Sequence, residues 1–135
     1  MIYRSQNNYH QSEIQYQKAI QLSTRRHGDN SLETIKLKNF LAGLYFVQAK
    51  FEEAQDILNS SLKVYKSALG RDHKVVALTN YALAIVKRAE FNLAPIGQFD
   101  DSLFNQAYSV LKVDISSLNM DNTRDIFLSL IHLSM

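Results

Sequence analysis

The apolar residues of this chain recur every three or four positions across residues 8–89, which is the period of amphipathic α-helices. Within residues 41–62, small residues alternate with large apolar ones on either side of a short polar turn. The small residues are Ala42, Ala49, Ala54 and Ser61, and the large ones are Leu41, Leu44, Tyr45, Phe51, Leu58 and Leu62. Because two helix backbones approach closely only where side chains are small, this pattern predicts a close-packed helical hairpin.

Short polar or glycine-containing stretches separate the predicted helices. These helices cover residues 8–26, 31–48, 51–68, 72–89, 99–113 and 120–134, and residues 2–6 are predicted to be the last turn of an earlier helix. Gly28 and Gly70 each follow a predicted helix, and a glycine in the left-handed conformation is a common helix stop. We expect Asn30 and Asp72 to cap the helices that follow these glycines. Residues 49–50 are expected to form the turn of the hairpin.

The hairpin is repeated along the chain with a period of about 42 residues. Positions that begin at Tyr3 match, in residue class, positions that begin at Tyr45, one period later. The connecting segments keep the same length, since residues 28–41 and 70–83 both begin with glycine and end with leucine. One hairpin cannot bury its own apolar face, so the repeat predicts hairpins that stack on one another.

The repeated positions follow the pattern W-x2-L-G-x2-Y…A-x3-F…P. The positions that fit are Leu41, Ala42, Tyr45, Ala54 and Leu58, and those that depart are Lys38 and Lys66. In these residues the chain resembles the tetratricopeptide repeat family, closely over residues 2–89 and weakly over residues 97–134. The period, which is longer than the usual one of this family, resembles the kinesin light chain type of repeat. That type has a G-x-x-H-P-x-V-A linker, which is matched by Gly70, His73, Val76 and Ala77 but not by Lys74.

The resemblance implies an all-α fold, an α-solenoid of antiparallel helix pairs in a right-handed superhelix of about six helices. We expect a single domain over residues 1–135. Its parts are an incomplete first unit at 2–26, a complete unit at 31–68, an irregular unit at 72–113 with an insertion near 89–98, and a C-terminal capping helix at 120–134. The insertion is inferred because Phe99 matches Phe51, although the period alone would place that phenylalanine at Leu93. A competing match at Phe91 would place Pro95 inside a helix.

Composition and charge argue against a catalytic or membrane-bound function. The net charge of +2 is too small to indicate nucleic-acid binding, and the cations at residues 25–27 are interpreted as a helix-terminal cap. The chain has no cysteine, and its four histidines show no pair at metal-ligand spacing. No apolar run reaches the ~20 residues of a membrane-spanning helix, and no secretion signal is seen. We therefore predict a soluble, cytoplasmic, non-enzymatic protein with no metal, no cofactor, and no nucleic-acid or membrane partner.

In the family that this chain resembles, the first helix of each hairpin lines the concave side of the superhelix. The resemblance thus implies a peptide-binding face formed by Lys36, Asn39, Phe40, Gly43, Phe46, Val47, Leu78, Tyr81, Ile85 and Arg88. Some members of that family hold acidic peptide C-termini with a lysine and an asparagine on this face. Asn39 and Gly43 occupy those two positions here, so this carboxylate-binding pair is not expected. The mostly apolar lining suits an apolar helix or extended peptide with an acidic flank, in a protein–protein interaction scaffold.

Other interpretations of the same residues remain open at this stage. The C-terminal helix could fold over the concave face, which would make Phe40 and Tyr81 part of the core. The chain could also be a self-assembly module, because Ile2, Tyr3 and Tyr9 lack the helix that should cover them and another copy could supply it. A fragment of a longer repeat array would have the same incomplete first hairpin.

Overall fold

The computed structural model describes residues 6–93 without a gap and, beyond them, residues 95, 97, 98, 102, 105 and 106. Its continuous part consists of four helices, α1 (Gln6–His27), α2 (Leu32–Val47), α3 (Phe51–Leu69) and α4 (Lys74–Leu93). The described residues contain no strand, so the all-α fold class is confirmed for this part of the chain. The predicted helix at 120–134, most of the one at 99–113, and the residues Ile2 and Tyr3 lie outside the described residues. The total helix count and the superhelical winding therefore stay predictions.

The helix boundaries follow the hydrophobic pattern closely. The first three predicted helices agree with α1, α2 and α3 to within two residues at each end. Helix α4 is continuous to Leu93, and Pro95 follows in non-helical backbone. The competing match at Phe91 would need a turn at residues 89–90, in correspondence with residues 49–50, but these residues are helical.

Successive helices pack against each other in antiparallel pairs, α1 with α2, α2 with α3, and α3 with α4. Side-chain hydrogen bonds show the alternating direction, because Glu13 near the start of α1 meets Tyr45 near the end of α2. Ser23, late in α1, meets Thr34 at the start of α2. The buried apolar core is Ile35, Ala42, Phe46, Ala54, Leu58, Leu62, Tyr65, Val76, Leu78, Tyr81, Ala82, Leu83, Ile85 and Val86.

The contact between α2 and α3 is made at small residues. Ala42, Ala54 and Ser61 have no solvent exposure at all. They are three of the four small residues that the sequence pattern singles out, and the fourth, Ala49, lies exposed in the turn. The predicted close-packed hairpin is therefore confirmed, with small side chains where the two backbones meet.

The two loops that follow α1 and α3 lie one repeat period apart and have the same backbone structure. We call residues 28–31 loop 1 and residues 70–73 loop 2. Each begins with a glycine at positive φ, 98° for Gly28 and 94° for Gly70. The glycine N–H of each loop donates to a carbonyl four residues earlier, Gly28 to Thr24 at 2.9 Å and Gly70 to Lys66 at 3.1 Å. The glycine carbonyl then accepts from the last residue of the loop, from the Ser31 N–H at 3.4 Å and from the His73 N–H at 3.3 Å. The sequence repeat is thus a repeat of backbone geometry.

The helix caps lie one residue later than the sequence pattern indicates. Ser31, not Asn30, caps α2, and its Oγ accepts the Thr34 N–H at 3.2 Å. At the start of α4, His73 Nδ1 accepts the Val75 N–H at 3.1 Å, so the prediction for Asp72 is wrong as well. In both loops two neighbouring polar residues could serve as a cap, and the loop geometry places the second of them beside the free N–H groups.

The turn between α2 and α3 lies at residues 49–50, as predicted. Ala49 has a φ of 61°, the only positive value among the described non-glycine residues. Its N–H donates to Phe46 O at 3.0 Å, and the Lys50 N–H donates to Tyr45 O at 2.8 Å. This pair of bonds is the Schellman motif, which satisfies two carbonyls at the end of a helix.

Candidate protein-interaction surface

The structure divides the ten predicted concave-face residues into buried and accessible ones. The buried ones are Asn39, Gly43, Phe46, Leu78, Tyr81 and Ile85. Lys36, Phe40 and Val47 are half-buried, and Arg88 is exposed. Because buried side chains are closed to a partner in this conformation, only the accessible four are available for contact. Tyr81 is in the core, whereas Phe40 remains partly accessible. The C-terminal helix that the alternative interpretation places over this face lies outside the described residues, so that interpretation stays a prediction.

Asn39 takes part in a buried polar network between α2 and α3. Ser61 Oγ donates to Asn39 Oδ1 at 2.6 Å, and Asn39 Nδ2 donates to the Tyr65 hydroxyl at 3.1 Å. Burial raises the pKa of the Tyr65 hydroxyl, and the hydrogen bond from Asn39 acts in the opposite direction. The Asn39 amide is therefore committed to the core. The sequence offers one sign of this network, since Ser61 stands at a position where the hairpin pattern needs a small residue.

Helix α2 forms a partly accessible aromatic pair with α1. The rings of Tyr16 and Phe40 are stacked, with centroids 6.1 Å apart and planes 8° from parallel, and both side chains are half-buried. Lys36 and Val47 lie one turn before and two turns after Phe40 on the same helix, which places them on the same face. We call Tyr16, Lys36, Phe40 and Val47 the aromatic patch. The predicted binding face contains residues of α2 and α4 only, so Tyr16 of α1 is a member of this surface that was not predicted.

A polar cluster joins α1 to the end of α2. The Tyr45 hydroxyl donates to Glu13 Oε2 at 3.1 Å, and Gln17 Nε2 donates to the same oxygen at 3.1 Å. Burial, followed by the hydrogen bond with Glu13, raises the pKa of the Tyr45 hydroxyl. Lys50 Nζ lies 5.8 Å from the centroid of the Tyr45 ring. This cluster holds α1 against α2 and so supports the contact between Tyr16 and Phe40.

A groove is lined by residues of α1, α2 and α3. Its volume is about 460 Å³, and its residues are Gln17, Ile20, Gln21, Lys38, Leu41, Asp56, Ile57 and Ser60. The apolar members, Ile20, Leu41 and Ile57, come from three different helices. Lys38 is already paired with Asp29, with Nζ and Oδ1 2.7 Å apart. This groove therefore combines apolar contact with the exposed carboxylate of Asp56.

The described part of the chain contains no group of three or more His, Cys, Asp or Glu residues that could hold a metal ion. None of the helices α1–α4 is long and apolar enough to cross a membrane.

Comparison with known proteins supports the repeat pattern. A family model described as tetratricopeptide repeat matches residues 1–67, which include α1, α2 and most of α3. No curated protein matches the chain significantly. The match covers the part of the chain that contains the α2–α3 contact and the aromatic patch.

We predict that Tyr65→Phe lowers the free energy of unfolding by about 1–3 kcal/mol, because the substitution leaves the buried Asn39 Nδ2 without an acceptor. Denaturant unfolding followed by circular dichroism measures this difference. Tyr9→Phe is the matched control, since Tyr9 is half-buried and its hydroxyl has no hydrogen bond to another described residue. The control is expected to stay within about 0.5 kcal/mol of the wild-type chain. Equal stability of Tyr65→Phe and the wild-type chain would show that the network does not stabilise the α2–α3 contact.

Proposed function

Residues 1–67 of this chain belong to the tetratricopeptide repeat family, and on that basis we propose that the chain is a non-enzymatic scaffold that binds a partner peptide or helix. Tetratricopeptide repeats are generally protein–protein interaction modules, and the family typically serves as a non-catalytic scaffold. The fold alone does not choose a partner. The choice therefore depends on the side chains that the described helices expose.

The observation that carries the proposal is the stacked pair of Tyr16 and Phe40. Two aromatic rings that lie parallel, come from different helices and are only half-buried form a rigid apolar surface. Aromatic residues dominate the binding energy of protein interfaces, because they bury a large area at a small cost in conformational entropy. The aromatic patch is thus the place on α1 and α2 where a partner side chain gains most by docking.

The residues around the aromatic pair indicate the chemistry of the partner. Val47 extends the apolar face along α2, and Lys36 places a cation one turn before Phe40. Arg88 on α4 is exposed. An apolar helix or extended peptide with an acidic flank fits these side chains, because its apolar residues would cover the rings and its carboxylates would lie near the cation.

The proposal is tested by selecting peptides from a displayed library against the wild-type chain and measuring their affinity for Phe40→Ala. We expect at least about a tenfold loss, since removal of an aromatic residue that dominates an interface costs more than 1 kcal/mol. Fluorescence anisotropy with labelled peptides gives the dissociation constants.

Phe51→Ala is the matched control for this experiment. Phe51 is also a half-buried phenylalanine in contact with another ring, with its centroid 5.7 Å from that of Phe46, but it lies on α3. The control should keep the wild-type affinity for the peptides, although it removes about as much side-chain packing as Phe40→Ala does. If Phe40→Ala binds the selected peptides as tightly as Phe51→Ala, the aromatic patch is not the binding surface.

A second candidate function is self-assembly, and the exposure of Leu22 favours it. Leu22 lies on α1 and is 51% exposed, and only it and Leu93 are exposed large hydrophobic residues in the described part of the chain. Among the four described helices, α1 packs mainly against α2. Tyr9 is half-buried on the same helix, and Ile2 and Tyr3 lie outside the described residues. In this proposal a second copy covers the apolar side chains of the first hairpin.

Multi-angle light scattering at high micromolar concentration tests this second function. We expect a dimer mass for the wild-type chain and a monomer mass for Leu22→Lys, because a buried lysine would oppose the contact. Asn59→Lys, which adds the same charge at an exposed position of α3, away from α1, should keep the dimer mass. A wild-type chain that is monomeric throughout the concentration range would contradict the self-assembly proposal.

A further inference from the structure

Loops 1 and 2 have the same backbone but opposite charge at one matched position. Asp29 of loop 1 corresponds to Arg71 of loop 2, one repeat period later. Lys38 on α2 corresponds in the same way to Asn80 on α4. The two residues that form an ion pair at loop 1 are therefore replaced at loop 2 by a cation and a neutral amide.

Loop 1 is closed by side-chain contacts. Lys38 Nζ lies 2.7 Å from Asp29 Oδ1 and also donates to the Asp29 carbonyl at 3.4 Å. Thr34 Oγ1 donates to the Gly28 carbonyl at 2.8 Å, and Ser31 Oγ donates to the same carbonyl at 3.1 Å. These bonds occupy the Asp29 carboxylate and the Gly28 carbonyl of the loop, and they connect the loop to α2.

Loop 2 lacks these contacts and borders an open polar pocket instead. Thr34 is replaced by Val76, which cannot donate a hydrogen bond to the loop. The pocket has a volume of about 440 Å³ and is lined by Lys66, Arg71, Asp72, Val76, Ala77, Asn80 and Gln106. Within the described residues neither Lys66 nor Arg71 forms an ion pair.

The chain segment that supplies most of the pocket lining is positively charged. Residues 61–80 include four cations and one carboxylate, a net charge of +3, and these are Lys63, Lys66, Arg71 and Lys74 against Asp72. All five side chains are exposed. The pocket lining has two cations, Lys66 and Arg71, against the single carboxylate of Asp72, together with two side-chain amides and an apolar base. This excess of positive charge is suited to a carboxylate, because guanidinium and ammonium groups form their strongest hydrogen bonds with oxyanions.

We propose that the pocket at loop 2 binds a carboxylate side chain in an acidic segment of a partner protein. Arg71 and Lys66 donate to the carboxylate oxygens, the Asn80 amide supplies a further donor, and Val76 and Ala77 form the apolar base. The site lies at the junction of α3 and α4 and shares no residue with the aromatic patch. It shares with the proposed scaffold function only the premise that the partner is a protein.

The test uses a fluorescein-labelled hexaglutamate peptide and fluorescence anisotropy at low salt, where charge-assisted contacts are weakly screened. The variant Arg71→Asp/Asn80→Lys places the ion pair of loop 1 into loop 2 and so fills the pocket. We expect it to weaken binding of the peptide at least about tenfold, since it removes a charge-assisted hydrogen bond and the arginine that supplies it.

A matched control separates the pocket from general attraction between opposite charges. Arg26→Asp/Gln15→Lys changes the net charge by the same amount (−2 and +1) at two exposed positions of α1. We expect this control to keep the affinity for hexaglutamate within about twofold, because it leaves the pocket unchanged. In ¹⁵N spectra of the wild-type chain, the side-chain Nε of Arg71 and amide of Asn80 should shift with the peptide.

The contradicting outcomes are specific to this site. Equal weakening in the two double variants, or no binding of hexaglutamate to the wild-type chain, would overturn the proposal, as would binding of inorganic phosphate without binding of the peptide. Phe40→Ala should leave hexaglutamate binding unchanged, and Arg71→Asp/Asn80→Lys should leave the library-selected peptides bound at the aromatic patch. Failure of one proposal is thereby distinguished from failure of the other.

Discussion

The close contact between α2 and α3 determines where the other described helices lie. It depends on Ala42, Ala54 and Ser61, whose small side chains let two backbones approach without leaving a void. Any larger residue at these fully buried positions would have to separate the helices or displace their neighbours. Ser61 also satisfies Asn39, so the one buried amide at this contact has its partners. Helices α1 and α4 then pack on opposite members of this pair, α1 on α2 and α4 on α3.

The repeat conserves backbone geometry while it changes side chains. Loops 1 and 2 have matching hydrogen bonds and glycine conformations, yet one is closed by an ion pair and the other borders an open pocket. Hydrogen bonds within the backbone set the fold of each loop, so residues such as Asp29 and Arg71 are free to differ without altering it. Partner binding in a repeat protein depends on such differences between units, because the scaffold itself is common to all of them.

Much of the fold follows from the sequence, and much of the candidate site does not. Helical periodicity and the small residues suffice for α1–α3 and their turn, because both depend on local spacing. The caps at Ser31 and His73 differ from the prediction by one residue, since two adjacent polar groups compete and only the loop conformation selects one. The alignment with the family pattern places Asn39, Tyr81 and Ile85 on an open face, but the three side chains are buried. Their burial depends on contacts between helices, which a single sequence does not reveal. The stacking of Tyr16 on Phe40 is likewise a contact between helices, whereas the exchange of Asp29 for Arg71 is visible once the repeats are aligned.

We propose that a partner peptide binds at the aromatic patch on α1 and α2. Chemical-shift mapping can locate this binding, by titrating the ¹⁵N-labelled full chain with the tightest peptide selected from the library. The largest amide shifts are expected around Tyr16 and Phe40 and along α2 to Lys36 and Val47. Shifts confined to α3 and α4, or spread evenly over all four helices, would contradict this proposal.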